Sequence, residues 1–140
     1  MKTNKIKYYI GLDVHKAFTS FAVRNKDGII IQEGSCASIF EDTYSILKKY
    51  LENSLIGIET NTEIYPIYLA YKMKNINLKV ANLHKIRNLI GKDDSLDAKR
   101  ISDMLRLNTF PTSYIPDEKI MQLRSLVKAR HTIMEECSRL

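Results

Sequence analysis

Asp13 closes the apolar opening run Tyr8-Tyr9-Ile10-Gly11-Leu12-Asp13, and three further acids stand far along the chain: Glu59, Asp94 and Asp97. A carboxylate at the end of a half-buried or buried strand is costly to leave unpaired, and a divalent cation is a common group that holds it ionised. Glu59 closes a second such run, Leu55-Ile56-Gly57-Ile58-Glu59, while Asp94 and Asp97 are three apart where a helix is expected to begin. Residues three apart on a helix share a face, so this pair could reach one ion. An oxygen-rich donor set suits Mg²⁺ or Mn²⁺. Two such ions can activate water or a hydroxyl and stabilise the leaving oxygen when a phosphodiester is cut.

Singly, each acid has a plainer explanation. Asp94-x-x-Asp97 fits a helix N-cap with an acid at the third position. Glu59 fits a surface acid at a strand end, and Asp13 a turn cap. Only their joint placement favours a shared site, which depends on the elements that carry them.

Those elements follow from periodicity. Ile6 to Leu12, Thr19 to Arg24 and Ile29 to Gln32 are expected strands, the last two joined through Asn25-Lys26-Asp27-Gly28, whose Asp-Gly step signals a hairpin. Glu41 to Glu52 spaces Tyr44, Leu47 and Leu51 as a helix does; Leu55 to Glu59 follows as a strand. Tyr65 to Lys72 is a second expected helix, Leu78 to Asn82 a strand and Ser95 to Leu107 a third helix. Phe110 to Ile115 reads as a connector. A final helix is expected from Pro116, with proline at its first position and Asp117 and Glu118 in its first turn. The order βββαβαβα is that of the ribonuclease-H-like fold: a mixed, five-stranded α/β sheet flanked by helices. In that fold the first strand, the end of the fourth strand and a late helix bring their acids together.

Composition narrows the class. A chain of 140 residues with 44% hydrophobic and 27% charged residues is ordinary for one soluble domain. No apolar run reaches the roughly 18 residues of a membrane span, and Asp13, His15 and Lys16 interrupt any N-terminal signal core; a cytoplasmic protein is expected. Cys36 and Cys137 stand far apart with no Cys/His cluster, which argues against zinc and excludes a disulfide framework. His15, His84 and His131 are scattered, and no histidine-based site is expected.

The net charge of +6 lies wholly in the second half: residues 1–70 hold eight basic and eight acidic side chains, residues 71–140 fourteen and eight. That asymmetry points to a polyanion. Lys85, Arg87, Lys92, Lys99 and Arg100 surround the Asp94/Asp97 pair together with His84 and Arg106, and are the expected phosphate contacts. A solvated lysine-rich face is the plainer account of the charge taken alone.

Ile10-Gly11-Leu12-Asp13-Val14-His15-Lys16, Gly57-Ile58-Glu59-Thr60, Val80-Ala81-Asn82 and Lys92-Asp93-Asp94-Ser95-Leu96-Asp97-Ala98-Lys99-Arg100 together resemble the N-terminal domain of the DEDD insertion-sequence transposases. This is the one-ten family, which includes pilin-gene inverting recombinases. The resemblance runs from about residue 6 to the end, and its most specific part is the Lys92 to Arg100 block. It implies that Asp13, Glu59, Asp94 and Asp97 are the DEDD tetrad of a RuvC-like domain holding Mg²⁺ or Mn²⁺. It further implies DNA strand cleavage and transfer during movement of a mobile element, an oligomer, a guide RNA encoded in many elements, and a second domain supplying a serine nucleophile. Two departures stand out. Thr60-Asn61-Thr62-Glu63 lacks the family's glycine, and Asp93 replaces its Thr or Ser, which leaves open whether Asp93 or Asp94 is the ligand.

Two readings of other classes compete. Actin-like and sugar-kinase ATPases also open with a strand ending in Asp, but need small residues in the next turn for the nucleotide phosphates; here His15-Lys16-Ala17 fills it. The other is a non-catalytic nucleic-acid-binding module with structural acids. For domain organisation, residues 1–109 are expected to form the catalytic domain and 110–140 a connector and the start of a coiled-coil helix. Ile120, Leu123, Val127, Met134 and Cys137 form an apolar stripe there. The chain ends inside this helix, so an N-terminal piece of a longer protein is expected, oligomerising through residues 116–140.

Overall fold

The computed structural model of the chain describes residues 5–59, 64–82, 85, 88 and 97–140. Three strands come first, β1 (Tyr8–Val14), β2 (Phe18–Asn25) and β3 (Ile30–Ala37), followed by α1 (Phe40–Leu47), β4 (Ser54–Ile58), α2 (Ile64–Met73) and β5 (Leu78–Val80). Helices α3 (Ala98–Arg106) and α4 (Glu118–Ser138) complete the described elements. The sheet order is β3-β2-β1-β4-β5, with β1, β2 and β3 antiparallel and β4 and β5 parallel to β1. This is the ribonuclease-H-like arrangement expected from the element order.

The hairpin turn is built as its sequence demands. Asn25 Oδ1 accepts the backbone N–H groups of Asp27 and Ile29, both at 3.0 Å, and Gly28 takes a φ of +87° that side-chain-bearing residues resist. A bulge between Val23 and Arg24 then shifts the β2–β3 register.

Strand alternation divides the molecule into three layers. Ile10, Leu12, Phe21, Val23, Ile56 and Ile58 point to one face and join Leu47, Tyr50, Tyr71 and Val80 in the larger core beneath α1 and α2. Each fully buried aliphatic side chain there contributes about 1.5–3 kcal/mol. On the opposite face Leu55 and Ala81 meet Ile101 and Leu105 of α3 in a smaller core. Both sheet faces are thus covered.

Several boundaries differ from expectation. The first helix stops at Leu47, and Leu51–Asn53 form a separate 3-10 turn. Helix α3 starts at Ala98 with Asp97 as its N-cap rather than at Ser95; the Asp94 half of the expected pair lies outside the described residues. Pro116 does not take the first position of the last helix, because Asp117 is the cap and the helix begins at Glu118. Asn75 and Asn108, in left-handed conformations, end α2 and α3 where the sequence has no glycine stop. The connector is tied to the sheet: Ala81 bridges Thr112, Asn82 N–H donates to the Pro111 carbonyl and Ser113 N–H to that of Val80. None of the described helices is long and apolar enough to cross a membrane.

Candidate functional site

A lane of small residues runs across three strands where Ala22, Gly11 and Gly57 sit side by side in register. Helix α3 lies in it. A Cβ on Gly11 would stand 2.0 Å from the Ala98 carbonyl oxygen, and one on Gly57 would stand 2.8 Å from both Ile101 and Leu105. The absent side chains therefore let the first turn of α3 rest directly on β1. Asp13 is two residues beyond Gly11 on the same face of the strand, and Asp97 immediately precedes Ala98, so seating the helix brings the two acids to one place.

They line a common cleft of about 440 Å³ with Ser20, Phe21, Glu33, Gly34, Ala98 and Lys99. Asp13 is partly buried, its side chain 22% exposed, and its Oδ2 is 3.1 Å from His15 Nε2. An ionised carboxylate only accepts, so the imidazole nitrogen is the donor. The His15 ring stacks on Phe18 with centroids 4.6 Å apart, which fixes its orientation. Asp97 Oδ1 accepts the Arg100 N–H at 2.8 Å as helix cap, a use that occupies one of its two oxygens.

A guanidinium holds α3 from the side. Arg24 Nε donates to Ser102 Oγ at 3.0 Å and its Nη1 to the Gly28 carbonyl at 2.8 Å, tying the helix to both the second strand and the hairpin turn. Ser102 is fully buried and donates in turn to the Lys99 carbonyl at 2.8 Å.

The other expected residues fall as follows. Glu59 stands one residue past β4, partly exposed, and strand alternation from Gly57 carries it toward the α3 side of the sheet; it is not among the residues lining the cleft. Asp93, Asp94, Arg87, Lys92 and His84 lie outside the described residues. Lys99 and Arg100 are exposed in the first turn of α3, with Lys99 in the cleft, and Lys85 is exposed with its N–H donated to Asn82 Oδ1 at 3.2 Å. Among the described residues, no three His, Cys, Asp or Glu side chains form a group able to hold a metal ion.

Sequence reasoning misses two residues at the site. His15 looks isolated along the chain, yet the Asp13-x-His15 spacing puts alternate residues of an extended chain on one side. Glu33 is carried in by the hairpin, since β3 pairs Glu33 with Ala22, the same row as Gly11. It forms an ion pair with Lys99 at 3.2 Å. Counting in twos from the Asp-Gly turn gives the parity only if the bulge is known, and the bulge has no signal here.

No curated protein matches the chain significantly. The large terminase from a thermophilic bacteriophage is a similar solved structure, with a TM-score of 0.45 and 20% identity over 86% of this chain and 34% of that one. The chain thus spans about a third of that protein's length. A family model for the IS110 DEDD transposases, described as transposase, matches residues 10–140. That span includes Asp13, Glu59, Asp94 and Asp97, and the chain belongs to the IS110 DEDD transposase family.

Proposed function

We propose that this chain is the RuvC-like catalytic domain of a DNA transposase, and that Asp13, Glu59, Asp94 and Asp97 hold a divalent cation, Mg²⁺ or Mn²⁺. The observation that carries the reading is the seating of Asp13 and Asp97 in one open cleft, within a chain of this family. The donors fit the ion: both are hard carboxylate oxygens, and one lies in a partly buried setting where an unneutralised charge is costly. When bound, such a cation supplies a Lewis acid that activates a water or hydroxyl and stabilises a leaving oxygen.

The chain's own groups do the rest. His15 donates to Asp13 Oδ2, a contact that does not use Oδ1. The Asp97 cap holds one carboxylate oxygen against the helix and the other can face the cleft. Lys99 and Arg100 stand at the positive end of the α3 dipole, where cations are unfavourable for helix stability and favourable for drawing in a phosphate. With Lys85, Arg87 and Lys92 they would neutralise the DNA backbone, and log affinity should fall by about 0.9 per log unit of salt for each duplex phosphate contacted. A guide RNA encoded in the element is a further partner in this reading.

Helix α4 leaves Leu123, Leu126, Val127, Ile133 and Met134 exposed and buries none of its residues. In the proposed domain organisation, residues 1–109 are catalytic, 110–140 connect, and α4 pairs with a second copy.

Mn²⁺ binding measured by calorimetry tests the site. Asp13→Ala should abolish it. Asp97→Asn keeps a good N-cap residue but removes the charge, and should weaken Mn²⁺ at least tenfold with an unchanged melting temperature. Undiminished Mn²⁺ affinity in both variants would remove the metal-site reading.

A further inference from the structure

Lys99 is the one cation that lines the cleft among the described residues, and it does not stand free. Its Nζ lies 3.2 Å from Glu33 Oε2, on the far wall of the same cavity that holds Asp13 and Asp97. The backbone on both sides of the pair is fixed. Glu33 is registered against Ala22 in the β2–β3 ladder, while the Lys99 carbonyl accepts from Ser102, which Arg24 clamps. The two side chains are about half exposed, 55% for Lys99 and 48% for Glu33. An exposed pair of this kind is worth at most about 1 kcal/mol, so it forms by default and gives way to a stronger partner.

We infer that Glu33 is a latch on Lys99: it holds the ammonium across the cleft when no nucleic acid is bound and releases it to a backbone phosphate on binding. The inference rests on the proposed role of Lys99 as a phosphate contact. Lys99 has one ammonium to share between the Glu33 carboxylate and an incoming phosphate, and the more strongly charged partner takes it. Glu33 therefore opposes nucleic-acid binding through Lys99, by no more than the strength of that exposed pair. It is a positioning residue that acts through Lys99 and touches neither the cation nor the strand.

The experiment is a double-mutant cycle on the chain, with a fluorescently labelled DNA duplex of arbitrary sequence in EDTA, so that no cation enters the readout. Glu33→Gln should tighten binding by up to about fivefold, the strength of a half-exposed pair, and steepen the salt slope by up to about 0.9, because Lys99 then neutralises a phosphate without freeing a carboxylate. Lys99→Gln should weaken binding. In the Lys99→Gln background, Glu33→Gln should change nothing further. Equal tightening in both backgrounds would mean that Glu33 repels phosphate directly and would overturn the latch. So would a Glu33→Gln variant that binds as the unaltered chain does, or a Lys99→Gln variant that does. Weaker Mn²⁺ binding by Glu33→Gln, in a parallel titration without EDTA, would make Glu33 a cation ligand and overturn it likewise. If the unaltered chain binds no duplex at low salt, the phosphate role of Lys99 fails and the latch with it; if it binds but the cycle shows no coupling, only the latch fails.

Discussion

Helices α3 and α4 begin alike and end differently. Each is capped by an aspartate, Asp97 or Asp117, whose Oδ1 accepts the backbone N–H three residues on, at 2.8 and 2.9 Å. Yet the nine residues of α3 include four buried ones, Ala98, Ile101, Ser102 and Leu105, whereas the twenty-one of α4 include none. The cap is a local device that starts a helix; it does not say what the helix will lie against. What differs is the partner surface. Helix α3 meets the lane of Ala22, Gly11 and Gly57, where backbone approaches backbone, and the catalytic proposal depends on that approach. Helix α4 separates its apolar and polar residues far less cleanly than α3, and none of its residues is buried among the described residues.

Filling the lane should break this contrast most severely. Gly11→Val places a side chain where the Ala98 carbonyl now lies, and α3 must lift away. The expected loss is about 3 kcal/mol or more, read by urea unfolding, together with loss of Mn²⁺ binding as Asp97 leaves Asp13. Gly57→Ala, which meets only the side chains of Ile101 and Leu105, should cost about 1–2 kcal/mol.

Truncating the two helices at matched positions sharpens the comparison. Ile101→Ala should destabilise by about 2–5 kcal/mol, since Ile101 is fully buried. Leu126→Ala, at 68% exposure, should stay within about 0.5 kcal/mol in the monomer while weakening any dimer formed through α4. A dimer insensitive to Leu126→Ala and Val127→Ala together would show that the stripe is not the contact.

The caps give a smaller effect. Asp97→Ala and Asp117→Ala should each cost about 1 kcal/mol of helix stability. The first should lower the melting temperature of the whole domain, because α3 packs on the sheet. The second should lower only the helical circular dichroism signal.

The smallest effect lies on the other face of the sheet. Tyr71 is buried, and its hydroxyl has no hydrogen-bond partner among the described residues. Burial, reinforced by the neighbouring Cys36, pushes its phenol well above the ordinary value. The folded state thus favours the neutral phenol. The contribution is fully present below the unfolded-state pKa of about 10 and is lost as pH rises above it, because only the unfolded chain then releases the proton readily. Tyr71→Phe should stabilise the fold by up to about 1 kcal/mol and move its alkaline unfolding midpoint upward. It should leave the helicity of α4 unchanged, since Glu118–Ser138 contain no tyrosine.

Much of the architecture was legible in the residues themselves. Period-two runs, the Asp27-Gly28 turn and helical spacing are local, and each is written within a dozen residues; so are the Asp13 and Glu59 strand ends. The helix boundaries were less so. Asp97 and Asp117 each read as first-turn acids until the backbone showed them as caps, because N-cap and first-turn positions accept the same residue type. The lane of Ala22, Gly11 and Gly57 could not be read at all: three small residues on three strands become neighbours only through strand order and register. The same holds for Glu33, whose face depends on a bulge, and for His15, which acquires meaning from its distance to Asp13. Local chemistry chose the elements and the residue types at their ends, while the cleft exists because nonlocal pairing across the sheet decided which of those ends would meet.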